Sequence, residues 1–319
     1  MLSVALCTYN GEKYIREQIE SILNQTVPVD EIIVSDDGST DSTLNILSEY
    51  TKSNHPIIQV LQNEYTLGVR ANFQSAVNHC HGDIIFFSDQ DDIWLPNKVA
   101  ETVNYLFQNS NICVAFSNGN LIDSNGQIIP SNDLWGLFFD SYYKMLFDNH
   151  FELECFLDEN HATGAAMAAR GDFLRNNSFS NATSERILHD HIIAIKAIEQ
   201  NALGYIDKHL IQYRLHSRQQ RGAPPIESKI TRKSSIPLAF YPAQYMVDVL
   251  TNPYYIERAS FLSYRLRLKH QILGPLSILK NFSKYRHFYN SSCLKVMAAD
   301  TFVSIGHTLT RIKNKLFHS

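Results

Sequence analysis

Ile84-Ile85-Phe86-Phe87-Ser88-Asp89-Gln90-Asp91-Asp92-Ile93-Trp94-Leu95-Pro96-Asn97-Lys98 is the stretch whose reading decides the fold. Residues 83–88 form a short, Ile- and Phe-rich run, the pattern of a strand buried on both faces. Residues 89–95 read as a polar turn, and Pro96 suits the first position of the helix that follows. A buried strand that ends in carboxylates and leads into a helix is one unit of an α/β sheet.

The same unit recurs upstream. Ser3–Cys7 is a short apolar run ended by the turn Thr8-Tyr9-Asn10-Gly11, after which Tyr14, Ile15, Ile19, Ile22 and Leu23 stand at helical spacing. Glu31–Ser35 is a second strand, closed by Asp36-Asp37-Gly38-Ser39. Thr40 or Asp41 then caps a helix that runs to about Tyr50. Ile57–Leu61, a helix over 68–80 and a strand over 112–117 continue the alternation, which predicts a mostly parallel sheet with helices on both faces. Such sheets bind ligands beyond the carboxyl ends of their strands, so the turns after strands one, two and four are candidates for one shared site.

Downstream the signal changes. Residues 130–160 hold Trp135, Phe138, Phe139, Tyr142, Tyr143, Phe147 and Phe151, readable as a packing insertion or as a flap over an acceptor. A small-residue strand follows His161-Ala162-Thr163-Gly164, a helix spans 188–200, and 203–213 is strand-like. Residues 219–235, with Gly222, Pro224 and Pro225, read as a linker. Beyond it Phe240, Tyr245, Val249 and Leu250 fit one helical stripe and Phe302 to Phe317 another, with His307, Arg311, Lys313, Lys315 and His318 on its polar side. The expected organisation is an α/β body over 1–222, divided near 125 into two parts, a linker over 223–239 and a helical region over 240–319.

Composition is that of an ordinary globular chain of 319 residues, with no run of 18 apolar residues. The N-terminus has no basic segment before its short apolar run, which predicts a chain without a signal peptide, kept in the cytoplasm. Cys7, Cys80, Cys113, Cys155 and Cys293 are scattered and odd in number, against a disulfide framework or a zinc site. Charge is uneven: residues 1–225 carry 14 Lys/Arg and 28 Asp/Glu, residues 226–319 carry 14 and 4. A basic tail on an acidic body predicts either a helical subdomain paired with that body or contact with an anionic membrane; nucleic acid is not expected.

Three clusters carry chemistry. Asp89, Asp91 and Asp92 crowd like charges at a strand end, which is costly unless a cation or donors offset it. Mg²⁺ or Mn²⁺ wants oxygen ligands and bridges carboxylates to substrate phosphates, but the same residues also suit an acidic turn before a helix. Asp36 and Asp37 would accept a base N–H or a ribose hydroxyl, or would simply organise a turn. Tyr9 would pack on a nucleobase or merely decorate a turn, and Arg70 would contact a base or phosphate or stand as a surface charge.

Together, Val4-Ala5-Leu6-Cys7-Thr8-Tyr9-Asn10-Gly11, Glu31–Asp41 and Ile84–Lys98 resemble the words of the family 2 glycosyltransferases, of GT-A type fold, in order and spacing. The Ser-Asp-Gln-Asp-Asp form is most similar to the rhamnosyltransferase-type members that build bacterial cell-surface polysaccharides. The resemblance implies that Thr8, Asn10 and Glu12 line the nucleotide of a UDP- or dTDP-sugar, with Asp36 on the pyrimidine and Asp37 close by. It implies Gln90 in the same nucleotide-sugar site, Asp89 near ribose or metal, and Asp91 as the main ligand of Mn²⁺ or Mg²⁺. Asp190, in Leu188-His189-Asp190-His191, is implied as the general base of an inverting transfer to a glycan or lipid-linked acceptor, although an N-cap Asp would look the same. His216 is implied near the diphosphate or metal, Arg214 or Arg218 would clamp phosphate, and Gly164 would let the backbone approach the acceptor. The sequence departs from relatives after Asp190, where His191-Ile192-Ile193 stand in place of a frequent Trp. Asp92 is expected as a helix-capping neighbour, and an oligomer through 135–151 or the tail is left open.

Two other classes compete. A nucleotidyltransferase also uses an α/β sheet and a carboxylate-held metal, but it wants a Gly-rich basic loop where Thr8-Tyr9-Asn10-Gly11-Glu12 stands. A non-catalytic nucleotide-sugar-binding protein would not need Asp89, Asp91 and Asp190 together.

Overall fold

The computed structural model describes residues 1–52, 56–158, 160–179, 187–217, 219 and 249–269, with 283, 286 and 287. The chain forms two compact units, Met1–Ser235 and Ile236–Ser319. The expected linker over 223–239 lies outside the described residues.

In the first unit, β1 (Leu2–Thr8), β2 (Glu31–Asp36), β3 (Ile57–Gln62) and β4 (Ile84–Ser88) lie parallel in the order β3-β2-β1-β4. The connections carry α1 (Ile15–Leu23), α2 (Thr43–Tyr50) and α3 (Val69–Asn78). Val4, Leu6, Ile32, Val34 and Phe86 are buried because helices cover the sheet, which is why these strands read as unbroken apolar runs. Ile15, Ile19 and Ile22 form the buried stripe of α1 at helical spacing, each contributing about 1.5–3 kcal/mol of burial. The chain runs outward from β1 to β3 and then crosses back to β4, so the carboxyl ends of β1 and β4 flank a topological switch point.

Two helix starts differ from expectation. The α2 helix begins at Thr43, because the Asp41 carboxylate accepts the Thr43 N–H at 3.0 Å and its hydroxyl at 2.5 Å in the preceding turn. The turn after β4 contains a two-residue strand, β5 (Ile93–Trp94), and the Leu95 N–H donates to Leu210 O at 3.0 Å. The chain therefore stays extended past Trp94, and α4 (Lys98–Gln108) starts two residues beyond Pro96.

The rest of the sheet is mixed. Next come β6 (Val114–Ile122), β7 (Ile128–Asp133), the helices α5 (Leu134–Phe138), α6 (Ser141–Asp148) and α7 (Glu152–Asp158), then β8 (Met167–Arg170), α8 (Gly171–Asn176), α9 (His189–Glu199) and β9 (Leu203–Arg214). The β8 strand runs antiparallel between β4 and β6, β9 is parallel to β6, and β5 and β7 pair antiparallel with β9 and β6. The full order is β3-β2-β1-β4-β8-β6-β9-β5, with β7 on β6. The aromatic stretch is a packing insertion: Phe116 of β6 is ringed by Trp135, Phe139, Phe147, Phe156 and Tyr205 at centroid separations of 5.2–6.5 Å.

In the second unit α10 (Pro253–Lys269) is the described helix, with Val249, Leu250, Ala259 and Phe261 buried. Phe240, Tyr245 and the stripe from Phe302 to Phe317 lie outside the described residues. No helix among the described residues is long and apolar enough to cross a membrane.

Candidate active site

A cavity of about 1340 Å³ opens beyond the carboxyl ends of β1 and β4. It is lined by the turn Thr8–Tyr14, by Asp37, by Asp89, Gln90 and Asp91, and by His189, Asp190 and His216. The three rim turns expected to share a site do share one, and residues more than 100 positions downstream join them.

The first two turns are laced together. The Asn10 N–H donates to Ser39 Oγ at 2.8 Å, and Asn10 Oδ1 accepts the Thr40 N–H at 2.8 Å. Glu12 Oε2 accepts the Ser42 N–H at 2.9 Å. Asn10 holds φ +50°, a conformation Asn tolerates better than most residues. Gln90 clamps the same turn to β4 through both amide atoms: Oε1 accepts the Tyr9 N–H at 2.8 Å and Nε2 donates to Tyr9 O at 3.1 Å. A Cβ on Gly11 would stand 2.2 Å from that Oε1, so a side chain there would displace the Gln90 amide from Tyr9. Tyr9 is 38% exposed at the rim.

Asp36 corrects an expectation. It is fully buried and does not line the cavity. Its carboxylate accepts from Thr8 Oγ1 (2.8 Å), Ser39 N (2.9 Å), Ser39 Oγ (2.6 Å) and Gly38 N (3.2 Å). In this structure its carboxylate shapes the turn. Asp37 lines the cavity, with its carboxylate bound to the N–H groups of Leu67 (2.7 Å) and Gly68 (3.0 Å). Arg70 is outside the lining; its guanidinium donates to Ile187 O at 3.2 Å, tying α3 to the segment before α9.

The acidic cluster forms the cavity floor. Burial, then the charges of Asp91 and Asp190, push Asp89 up to about 7. His216 Nε2 stands 2.8 Å from Asp91 Oδ2. Asp92 caps no helix: it is buried, its Oδ1 accepts the Arg214 N–H at 2.9 Å, and burial with Asp91 and Asp89 raises its pKa well above the usual carboxylate range. Lys98, which the sequence did not single out, lies 1% exposed beneath the cluster. Its Nζ donates to Ala165 O at 2.6 Å and sits 4.3 Å over the Trp94 ring. Burial pulls its pKa down to about 7 against the pull of Asp92 and Asp89.

Arg214 is no phosphate clamp. It is 1% exposed, and Nε donates to Asp91 O at 2.7 Å while a terminal N–H donates to Glu17 at 2.6 Å. Its guanidinium also lies 4.6 Å over the Tyr14 ring. It fixes the backbone that presents Asp91. Arg218 lies outside the described residues.

Asp190 enters from the first turn of α9. It is 7% exposed, and its oxygens accept the Gly164 N–H at 3.0 Å and the His191 N–H at 2.8 Å. Burial raises its pKa to about 6 against those bonds. A carboxylate held at this value is poised to accept a proton near neutrality. His191 faces away: its Nε2 hydrogen-bonds Phe156 O, burial lowers its pKa to about 4, and with Ile192 and Ile193 it packs in the interior. The cavity wall here is made by Leu188, His189 and Asp190. Gly164 lies against this wall, where a Cβ would stand 2.7 Å from His189 Nε2.

Among the described residues no three His, Cys, Asp or Glu side chains converge as a preformed metal site. Asp91 and His216 nevertheless suit a divalent ion: adjacent ligands of an octahedral ion at about 2.1 Å stand about 3 Å apart, close to their separation of 2.8 Å. Such an ion takes its remaining ligands from water and substrate phosphates.

The sequence model of "Glycosyl transferase family 2" matches residues 3–169. The dTDP-rhamnosyl transferase RfbG of Shigella flexneri is 32% identical over 230 residues, covering 68% of this chain and 74% of that one. The UDP-Glc:alpha-D-GlcNAc-diphosphoundecaprenol beta-1,3-glucosyltransferase WfgD of Escherichia coli is 34% identical over 125 residues, covering 39% and 48%. Among solved structures, residues 1–349 of S. aureus TarS in complex with UDP align with a TM-score of 0.57 at 16% identity, covering 100% of this chain and 92% of that one.

Proposed function

Since the chain belongs to glycosyltransferase family 2, we propose that it transfers a sugar, with rhamnose the leading candidate, from a UDP- or dTDP-sugar to a hydroxyl of a cell-surface polysaccharide precursor, with inversion. The observation that carries this reading is the position of Asp190. A buried carboxylate with a raised pKa shares one cavity with Asp37, Asp89, Asp91 and His216, across from the turn Thr8–Glu12.

The nucleotide lies along the Thr8–Glu12 turn, with Tyr9 at the base and Asp37, in place of Asp36, beside the pyrimidine. Asp89 takes a ribose or sugar hydroxyl. Asp91 and His216 would hold Mn²⁺ or Mg²⁺, and the ion would supply charge neutralisation of the leaving diphosphate. The acceptor hydroxyl attacks the anomeric carbon as the bond from that carbon to the phosphate oxygen breaks. The diphosphate leaves with the electron pair, and the hydroxyl proton passes to Asp190. Arg214, Gln90 and Lys98 act indirectly, by holding the loops that carry Asp91 and Tyr9 and by offsetting the buried charge of the floor.

The donor classes are supported by RfbG, described as a dTDP-rhamnosyl transferase, and by WfgD, described as using UDP-Glc with a diphosphoundecaprenol acceptor. The basic segment 226–319 suits peripheral contact with an anionic inner membrane face, where a lipid-linked acceptor resides. Calorimetry with UDP and dTDP, with and without Mn²⁺, tests the core of the proposal: metal-dependent binding of one of them is expected, and its absence from both overturns the reading.

A further inference from the structure

His189 is the first residue of α9 and lines the cavity next to Asp190. It is 3% exposed. Its ring stacks on Phe73 at 3.9 Å between centroids, lies 5.4 Å from Phe87 and 6.1 Å from Phe179. In that apolar slot it stays neutral, so one ring nitrogen carries a hydrogen and the other a lone pair. Neither nitrogen has a hydrogen-bond partner among the described residues.

An unpaired buried donor and acceptor cost the fold stability and need a reason. A histidine kept only for packing would be replaced at a gain by phenylalanine, which three phenylalanine neighbours would welcome. Nε2 lies on the Gly164 side of the ring, where a Cβ at residue 164 would stand 2.7 Å away. Nε2 is closed to solvent and rests against Gly164, which lines the cavity, and it is the missing side chain that lets the ring sit at this wall. Gly164 also donates its N–H to Asp190, so the unpaired nitrogen, the small residue and the candidate base form one cluster. A sugar presents neighbouring hydroxyls, each both donor and acceptor, which is what a neutral imidazole can pair with.

We infer that His189 is a sugar-recognition residue, whose ring nitrogen on the Gly164 side hydrogen-bonds a hydroxyl of a sugar lying beside Asp190. This rests on the transferase reading above. The hydroxyl belongs to the donor sugar or to the acceptor, and the two are separable.

The test compares wild type, His189→Phe and His189→Gln by calorimetry with UDP, UDP-glucose, dTDP and dTDP-rhamnose in Mn²⁺. Transfer to a lipid-linked GlcNAc diphosphate and donor hydrolysis are measured alongside. If wild type binds neither nucleotide, the transferase reading falls before His189 is at issue. Otherwise His189→Phe keeps the affinity for bare nucleotide within about twofold and loses about tenfold to a hundredfold in kcat/KM, and His189→Gln recovers part of that loss. A donor contact lowers nucleotide-sugar affinity relative to bare nucleotide and slows hydrolysis. An acceptor contact leaves both unchanged and raises the acceptor KM. If His189→Phe does not fold, Gly164→Ala, which fills the approach to Nε2, gives the same split. Wild-type transfer kinetics and donor affinity in His189→Phe, or in Gly164→Ala when that variant stands in, would overturn the inference and leave His189 a packing residue.

Discussion

Replacing Asp190 by Asn separates its chemical role from its cost to the fold. Burial raises the Asp190 pKa to about 6, from an ordinary value near 3.8. Between those values the folded state holds a proton that the unfolded state has released. The contribution of this residue is therefore fully present below about pH 4 and is lost as pH rises to about 6. Two pKa units correspond to about 3 kcal/mol. Asn carries no charge to desolvate, so the stability difference between Asp190→Asn and wild type shifts toward the variant by up to about 3 kcal/mol from pH 4 to pH 7.5. Terms independent of pH cancel in that comparison, including the backbone N–H of Gly164 or His191 that the amide leaves unmet. In a unit of this size the shift corresponds to about 5 °C or more in relative melting temperature. The same variant loses transfer by about 10²–10⁴ while still binding nucleotide. In wild type, kcat/KM rises with pH, passes half its maximum near pH 6 and levels off above about pH 7. Parallel melting curves across pH 4–7.5 refute the buried, elevated carboxylate; normal transfer by Asp190→Asn refutes the base.

Asp91→Asn removes a charged oxygen from the proposed ion site, so metal-dependent nucleotide binding weakens at least about tenfold, read by Mn²⁺ titration in the calorimeter. Arg214→Ala leaves the Asp91 carbonyl without its donor while the half-exposed Glu17 is taken up by water, and lowers stability by about 1–3 kcal/mol, read by chemical denaturation. Gly11→Ala forces Gln90 off the Tyr9 backbone, and the donor KM rises about tenfold with the fold retained, measured by steady-state kinetics and circular dichroism. The full chain floats with anionic vesicles at low salt and is released as salt screens the basic segment; no flotation at low salt removes the membrane contact.

The parallel half of the sheet was legible because burial on both faces writes itself as runs such as Ile84–Phe87 and Ile32–Val34, with a polar turn after each. The mixed half was not. The Ile93–Trp94 strand is two residues long, and its pairing with Gln212 and Ile211 depends on a segment more than 115 positions away, which no local period reports. The aromatic stretch stayed open for another reason: its rings are interspersed with polar and charged residues without a clear period, so it reads as packing insertion or flap until Phe116 supplies the surface that Phe139 and Phe147 pack against.

The site divides along the same physical line. Position at a strand end points to Asp89 and Asp91, and the family resemblance points to Asp190, but neither says which atoms the fold consumes. Asp36 and Asp37 are adjacent and chemically identical. They differ because alternation along an extended chain sends Asp36 inward to Thr8 and Ser39, while Asp37 reaches the rim. Arg214 and His216, two positions apart, would share a face in a continuous strand; they part because β9 ends at Arg214, which turns under the floor to Glu17 while His216 turns to Asp91. A cation beside an acidic cluster is therefore ambiguous in sequence, and burial decides it. Lys98 makes the point from below. It opens α4 four residues past Trp94, yet its Nζ is buried against Ala165 O and the Trp94 ring. The floor thus holds a buried cation that the sequence concealed, so the electrostatics of the site were legible only once its burial was known.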